Sequence, residues 1–362
     1  MKKRVMVAMS GGVDSSTAAA LLCQQGFEVT GVTMQIWPDE EVADRVDKNG
    51  GCCSLPAMKD ARAVAELLDI THHVFDFRDV FSRQVIDNFC EEYLEGRTPN
   101  PCIRCNQYVK WDTFLELAKS LEMDYIATGH YARIEKNPED NGFLLKKGID
   151  PGKDQSYVLY TMTQEQLAHT LFPLGGFTKE QIREKARQFG LPVAGRPESQ
   201  EICFIPDNDY RRYLKDHLKQ GIKPGKIVNL KGEVLGEHPG IPFYTVGQRK
   251  GLGLAAPKPY YVIALDPGKN QVVVGGEEDL FAKGLIADHL NLIGVDRPEG
   301  PLKIEAKIRY TAPAAKAILS LCNSDGAKVE FEHSQKVITP GQAVVFYQDD
   351  LVIGGGIINR IL

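Results

Sequence analysis

Two short stretches of the 362-residue chain gather side chains that could do chemistry: SGGVDSS at 10–16 and NPCIRCN at 100–106. In the first, Gly11 and Gly12 let a backbone approach an anion closely, and Ser10, Ser15 and Ser16 supply hydroxyls. A helix starting there would aim free N–H groups and a partial positive charge at the same point. No Gly-Lys-Ser/Thr follows, so this is not a Walker A loop. A tight turn capped by Ser and Asp would need fewer hydroxyls, and phosphate binding is the expectation. In the second, Cys102 and Cys105 form a Cys-x-x-Cys pair behind Pro99 and Pro101. That spacing serves a metal site, a reversible disulfide or a reactive thiol.

The remaining cysteines read differently. Cys203 stands between Ile202 and Phe204 in SQEICFIP, and its neighbours alone suggest a buried structural thiol. Cys23, Cys90 and Cys322 lie among apolar residues and read as core positions. Cys52 and Cys53 in GGCCS are adjacent, a poor geometry for chelating one metal, and are expected on a mobile loop.

The elements that must position these groups alternate. RVMVAM (4–9) reads as a buried strand, 15–25 as a helix stopped by Gly26, and FEVTGVTMQI (27–36) as a second strand. A helix carrying Ala57, Ala61, Val64, Ala65 and Leu68 follows, then a strand at 71–77 and helices over 81–94 and 106–121. DYIAT (124–128) is a further strand, and Thr178 with Gln181 marks a capping box for a helix that Gly190 ends. Such alternation predicts an α/β domain with a parallel sheet covered by helices on both faces. After about Pro206 the pattern changes to short strands between Gly and Pro turns, giving two small mainly β domains. The expected domains are 1–205, 206–282 and 283–362.

Composition sets outer limits. Hydrophobic residues make up 43% and charged residues 25%, the usage of a globular protein. The apolar run Val5–Met9 is too short for a signal peptide core, and no stretch approaches the roughly 20 apolar residues of a spanning helix. A soluble, cytoplasmic protein is expected. Eight cysteines in this length are far from a secreted disulfide scaffold, so clustered ones point to catalysis or metal binding. Residues 1–205 carry 23 Lys+Arg against 30 Asp+Glu, and 206–362 carry 20 against 18. This excludes a generally basic nucleic-acid coat and allows local basic patches.

SGGVDSS resembles the signature of the PP-loop ATP pyrophosphatases, of adenine nucleotide alpha hydrolase-like fold, which cleave ATP to AMP and pyrophosphate and adenylate an oxygen. Together with NPCIRCN, ATGHY (127–131), KDQSYVLY (153–160), SQEICFIP (199–206), GQRKGLGL (247–254) and RY (309–310), it resembles the tRNA-specific 2-thiouridylase family over nearly the whole chain. The resemblance implies ATP contacts from Ala8, Met9, Ser10, Gly11, Gly12, Val13, Asp14 and Ser15, from Met34 and from Gly129. It places the target uridine of tRNA against Asn100, Pro101 and Cys102. It assigns further tRNA contacts to His130, Lys153, Asp154, Gln155, Arg309, Tyr310 and Gln342. Lys and Arg suit phosphates, Tyr can stack on a base, and Asn or Gln can read a base edge. Arg249 and Lys250 in GQRKGLGL add a phosphate contact of weaker signal.

The implied reaction is ATP-dependent 2-thiolation of the wobble uridine, with Mg²⁺, in the Lys, Glu and Gln isoacceptors. Cys203 would carry a persulfide supplied by a cysteine desulfurase or relay protein, and Cys105 would resolve it, leaving a Cys105–Cys203 disulfide. Some family members carry Asp where this chain has Cys102. The acid or base role of that carboxylate therefore does not transfer, and three cysteines surround one site. Three thiolates can hold a [4Fe-4S] cluster with one iron open to hydrosulfide, so a cluster-dependent route to the same product is the alternative. An adenylate-forming ligase and a non-enzymatic tRNA-binding protein are the readings from other classes.

Overall fold

The computed structural model describes residues 2–36, 55–138, 142–196, 202–205, 207–218, 222–255, 257–295, 297–322 and 325–362. Cys52 and Cys53 lie outside the described residues. The chain separates into two compact units, one of residues 1–85, 102–209 and 350–352, the other of 86–101, 210–349 and 353–362. Among the described residues no helix is long and apolar enough to cross a membrane.

The first unit is built on a parallel sheet. Strands β1 (Arg4–Ala8), β2 (Glu28–Gln35), β3 (Thr71–Asp76), β4 (Tyr125–Ala127) and β7 (Thr170–Leu171) run in the order β3-β2-β1-β4-β7. Every pairing in it is parallel. In β1, Val5, Met6 and Val7 are all fully buried, as a central parallel strand covered on both faces requires. Helix α1 (Val13–Gln24) is apolar on nearly every side, with Ala18, Ala19, Ala20, Leu21 and Leu22 buried. Its three consecutive alanines permit close packing against the sheet and against the helix Lys179–Gln188, through Leu21 and Ile182. Helix α2 (Leu55–Leu67) buries Ala61 and Val64 in the same core.

The chain runs outward from β1 to β2 and β3, then returns to place β4 on the other side of β1. The sequence-predicted strands and helices fall close to these elements, and the capping box of Thr178 with Gln181 is formed on both sides. The runs over 81–94 and 106–121 are helical but change pitch. Ser82–Asp87 and Cys105–Thr113 are wide π-helical turns between α-helical segments. A hairpin of β5 (Ala132–Lys136) and β6 (Phe143–Lys147), unforeseen from the sequence, completes this unit.

The second unit holds two β assemblies. Strands β8 (Gly225–Asn229), β9 (Val234–His238), β10 (Tyr261–Asp266) and β11 (Gln271–Gly275) form a four-stranded sheet in the order β10-β11-β8-β9. The helix Asn88–Leu94 belongs with this unit. Phe89 lies 6.2 Å from the ring of Tyr213, and Tyr93 stacks on Tyr210 at 5.1 Å. Strands β12 (Phe281–Leu292), β13 (Leu302–Lys307), β14 (Ala315–Leu321), β15 (Ala327–Lys336), β16 (Ala343–Gln348) and β17 (Leu351–Ile361) make a six-stranded barrel closed by the pairing of β12 with β17. Ala327, Val329 and Phe331 alternate inward along β15, the period of a strand with one face in a core. Closure pairs β12 and β17, which would otherwise be the two edges of the six strands.

Three of the cysteines read as core residues separate here. Cys90 is buried, and loss of solvation, reinforced by Asp87 and Glu91, pushes its thiol up to about 11. Burial also raises the half-buried Cys23. Cys322 is exposed, just beyond the end of β14, and is not a core residue. Its apolar neighbours ILSL belong to the strand, whose alternation ends before the cysteine is reached.

Thr178→Ala removes the hydroxyl that accepts from Gln181 N, and is expected to cost about 1 kcal/mol, read as a lowered denaturation midpoint with an unchanged slope.

Candidate active site

The order of the parallel sheet reverses between β1 and β4, and in open α/β sheets ligands bind beyond the carboxyl ends of the strands at such a point. Ala8 ends β1, Met9 is buried, and residues 10–12 turn the chain into α1. Gly129 follows β4 on the other side. A Cβ on Gly129 would lie 2.8 Å from both Asp14 C and Ser15 N, so the two crossover points meet backbone to backbone. Gly11 has φ +69°, and a Cβ there would sit 2.1 Å from Ala57 O at the start of α2. Only glycine fits either position.

Local hydrogen bonds shape the loop between them. Ser10 N donates to Ser15 Oγ at 3.1 Å, and Ser15 Oγ donates to Gly12 O at 3.2 Å. Gly12 is the N-cap of α1 and caps it with no side chain. The first-turn amides are therefore open to an anion and carry the positive end of the helix dipole. Among the described residues, Ser16 Oγ is buried without a hydrogen-bond partner. Thr33 Oγ1, on β2, donates to Met9 O at 2.7 Å and fixes the strand end from below. Met34 is the next residue, at the carboxyl end of β2 and half-buried. The residues expected to contact ATP are thus brought together around one crevice. Thr33 was not foreseen, because a lone threonine in a strand carries no chemical signal.

Asp14 is held from the side. Lys179 Nζ donates to its two carboxylate oxygens at 2.7 and 2.8 Å, and Tyr131 OH donates to Oδ1 at 2.7 Å. Tyr131 is in turn fixed by Gln155, whose side chain accepts from Tyr131 N at 3.0 Å while its own N donates to Tyr131 O at 2.9 Å. Asp154 accepts from Gly148 N, Ser156 N and Ser156 Oγ. Asp154 and Gln155, expected at an RNA surface, thus also build the loop that carries them. Lys153 is half-buried beside them. His130 is buried, with Nδ1 2.6 Å from Thr128 Oγ1 and its ring against Trp111 and Phe172. Burial, aided by the charge of Lys110, pushes its imidazole well below the ordinary value. It is neutral at physiological pH and cannot serve as a cationic phosphate contact.

The cysteine motif begins a helix. Pro101 opens the segment Pro101–Arg104, where a missing N–H costs nothing, and Cys105 starts the π-helical turn. Cys102 is exposed and Cys105 half-buried, one turn apart. Asn106 is buried and anchors the turn: its Nδ2 donates to Val158 O at 3.0 Å, and its Oδ1 accepts from Lys110 Nζ at 2.8 Å. π-Helical turns recur at functional sites because they re-aim side chains within a continuous helix. Cys203 is half-buried while Phe204 and Ile205 beside it are buried, Phe204 edge-on to Phe81 at 5.8 Å. Its flanks are core and its thiol is not, unlike the buried structural residue its neighbours suggest.

Among the described residues, no group of three His, Cys, Asp or Glu side chains is placed to hold a metal ion. Cys102, Cys105 and Cys203 are all described, so this arrangement does not assemble the three-thiolate set that a [4Fe-4S] cluster requires.

In the second unit, Thr98 and Pro99, just before Asn100 and Pro101 of the motif, are held by the barrel. Gln342 Nε2 donates to Thr98 O at 2.9 Å and Pro99 O at 3.1 Å, and Thr98 N donates to Pro340 O at 2.9 Å. Gly341, with φ +90°, leaves room for this approach, since its Cβ would lie 2.7 Å from Thr98 N. Arg309 donates to the carbonyls of Lys336 and Val337. Tyr310 is 40% exposed, with the Lys307 ammonium 5.4 Å from its ring centroid, an arrangement open to stacking. Arg249 and Lys258 line a 210 Å³ cavity at the GQRKGLGL loop.

Residues 3–207 match the family model described as a tRNA methyl transferase HUP domain, residues 211–276 a tRNA methyl transferase PRC-barrel domain, and residues 282–358 an aminomethyltransferase beta-barrel domain. The chain is 54% identical over 361 residues to "tRNA-specific 2-thiouridylase MnmA" of Clostridium perfringens, covering 100% of this chain and 99% of that one. Proteins of the same name from Clostridioides difficile and Acetivibrio thermocellus are 51% and 53% identical, over 100% and 99% of this chain and 99% of each relative. The chain belongs to the tRNA-specific 2-thiouridylase (MnmA) family.

The crevice between β1 and β4 is where the loop expected to bind ATP meets the switch point of the sheet. Gly129→Ala drives a methyl group into the backbone of Asp14 and Ser15, and its ATP affinity is expected to fall at least tenfold by isothermal titration, about 1.4 kcal/mol. Gln342→Ala releases the carbonyls of Thr98 and Pro99, and hydrogen–deuterium exchange in a peptide spanning 95–104 is expected to rise with ATP affinity unchanged.

Proposed function

We propose that this enzyme catalyses ATP-dependent 2-thiolation of the wobble uridine of tRNA, giving 2-thiouridine, AMP and pyrophosphate. The observation that carries the reading is the SGGVDSS loop at the β1/β4 switch point of a chain that matches the 2-thiouridylase family from end to end.

ATP is a substrate. Its triphosphate lies on the first-turn amides of α1, and its α-phosphate is attacked by the C2 oxygen of the uridine, releasing pyrophosphate. Mg²⁺ bound with ATP would supply charge neutralisation for the pyrophosphate leaving group.

Sulfur then enters from Cys203. A persulfide on its Sγ, supplied by a cysteine desulfurase or relay protein, attacks C2 through the outer sulfur, and AMP leaves with the bonding pair. The Cys105 thiolate attacks the inner sulfur, the S–S bond of the adduct breaks toward the base, and 2-thiouridine departs. A Cys105–Cys203 disulfide remains, and a thiol reductant resets it. The partial exposure of both thiols supports these roles, since each must be reached by a partner.

The target base lies against Asn100, Pro101 and Cys102. Lys153, Arg309 and Tyr310 take phosphate and stacking contacts. Asp154, Gln155 and Gln342 act through the backbone segments they hold, and His130 through its packing with Trp111 and Phe172. The tRNAs are the Lys, Glu and Gln isoacceptors, and the enzyme works in the cytoplasm as three domains at 1–205, 206–282 and 283–362.

Incubation with unmodified tRNA, ATP, Mg²⁺ and a persulfide donor is expected to yield 2-thiouridine by nucleoside mass spectrometry. Cys203→Ala and Cys105→Ala should each abolish it while tRNA-dependent pyrophosphate release continues. Thiolation retained by Cys203→Ala overturns the persulfide route.

A further inference from the structure

Asp14 places a carboxylate in the first turn of α1, inside the loop that must accept a polyanion. A negative charge there stabilises the helix and repels the ligand. Its partner resolves the conflict. Lys179 is 9% exposed, unusual for a side chain that normally carries its charge to water. It donates to both oxygens of Asp14 across 165 residues of sequence. Its position is set in advance: Lys179 N donates to Asp150 Oδ2 at 2.9 Å, and the capping box around Thr178 fixes the turn on which it sits. The Tyr131 hydroxyl completes the grip on Asp14, and its ring lies 5.7 Å from the ammonium.

The charges can be counted. Asp14 contributes one negative charge, Lys179 one positive, and the end of α1 about half a positive charge, while Arg196, which donates to Gly11 O, is offset by Asp60 at 2.5 Å. With the lysine present the loop shows a net positive face to an incoming anion; without it the sum is negative. A capping role would account for Asp14 alone. It would not account for a buried ammonium delivered from a distant helix, which needs a partner to be tolerated at all.

We propose that Lys179 is the charge-compensating positioning residue of the ATP site, holding and neutralising the Asp14 carboxylate so that the start of α1 accepts a triphosphate. This rests on SGGVDSS being the ATP loop.

The test is isothermal titration of the full-length protein with ATP and Mg²⁺, with circular dichroism to establish folding. Lys179→Met is expected to weaken ATP binding at least tenfold, and Lys179→Arg, which keeps the charge, to bind ATP more tightly than Lys179→Met. The double variant Asp14→Asn/Lys179→Met is expected to recover to within about threefold of the parent, because the repelling charge is gone with its partner. A purely structural role for the pair would leave the double variant as weak as the single one. Asp14→Asn alone should tighten ATP binding severalfold, since the lysine charge is then uncancelled. A folded Lys179→Met protein with parental ATP affinity, or a double variant no better than the single, overturns the proposal. If Lys179→Met does not fold, Asp14→Asn decides: tighter binding supports the proposal, and unchanged or weaker binding overturns it. A parent protein that binds no ATP overturns the assignment of the loop itself, a result separate from all of these.

Discussion

Gly129 follows β4 without a side chain, and the first turn of α1 fills the space a Cβ would need, 2.8 Å from Asp14 C and Ser15 N. That contact sets how closely the two crossovers of the sheet approach at its switch point. Because β1 and β4 are hydrogen-bonded neighbours and their continuations diverge, a crevice opens beyond their carboxyl ends. The amides of α1 line it, and Ser15 ties the turn together through Ser10 N and Gly12 O. Widening the contact by one methyl group would shift the amides proposed to hold phosphate, and catalysis by positioning tolerates little displacement.

The cysteines divide by solvation. Buried Cys90 is held protonated by loss of hydration and by nearby carboxylates, so it is inert. Cys102 is exposed, and Cys105 and Cys203 are half-exposed on frames of buried residues. Asn106 anchors one frame through Val158 O, and Phe204 anchors the other against Phe81. A thiol proposed to receive and pass on sulfur needs both a fixed base and an open face. The motif NPCIRCN also spans the point where the chain passes from one compact unit to the other, between Pro101 and Cys102. Gln342 and Gly341 clamp its approach from within the second unit.

Much of this was legible locally. The Thr178 and Gln181 capping box, the Gly190 stop and the buried run of β1 are set by spacing along a few residues, and each formed as read. The π-helical turns were not legible, because the same residues satisfy an α-helix equally well and only packing widens the turn. The helix Asn88–Leu94 looked like one more crossover helix of the parallel sheet, yet Phe89 and Tyr93 pack on Tyr213 and Tyr210, more than a hundred residues on. Cys322 misled because the apolar letters before it belong to a strand it does not join.

The sequence by itself determined the chemistry on offer: a glycine and serine loop entering a helix, a Cys-x-x-Cys behind two prolines, and an order of motifs that marks the family. Such features depend on residue type and short spacing, which the chain carries in any conformation. Tertiary structure alone decided which charges meet. Lys179 is marked in sequence only as the residue after a capping threonine, and nothing in 165 intervening positions ties it to Asp14. An ion pair is a matter of a few ångströms in space. The sheet order that turns back at β1 supplies that proximity.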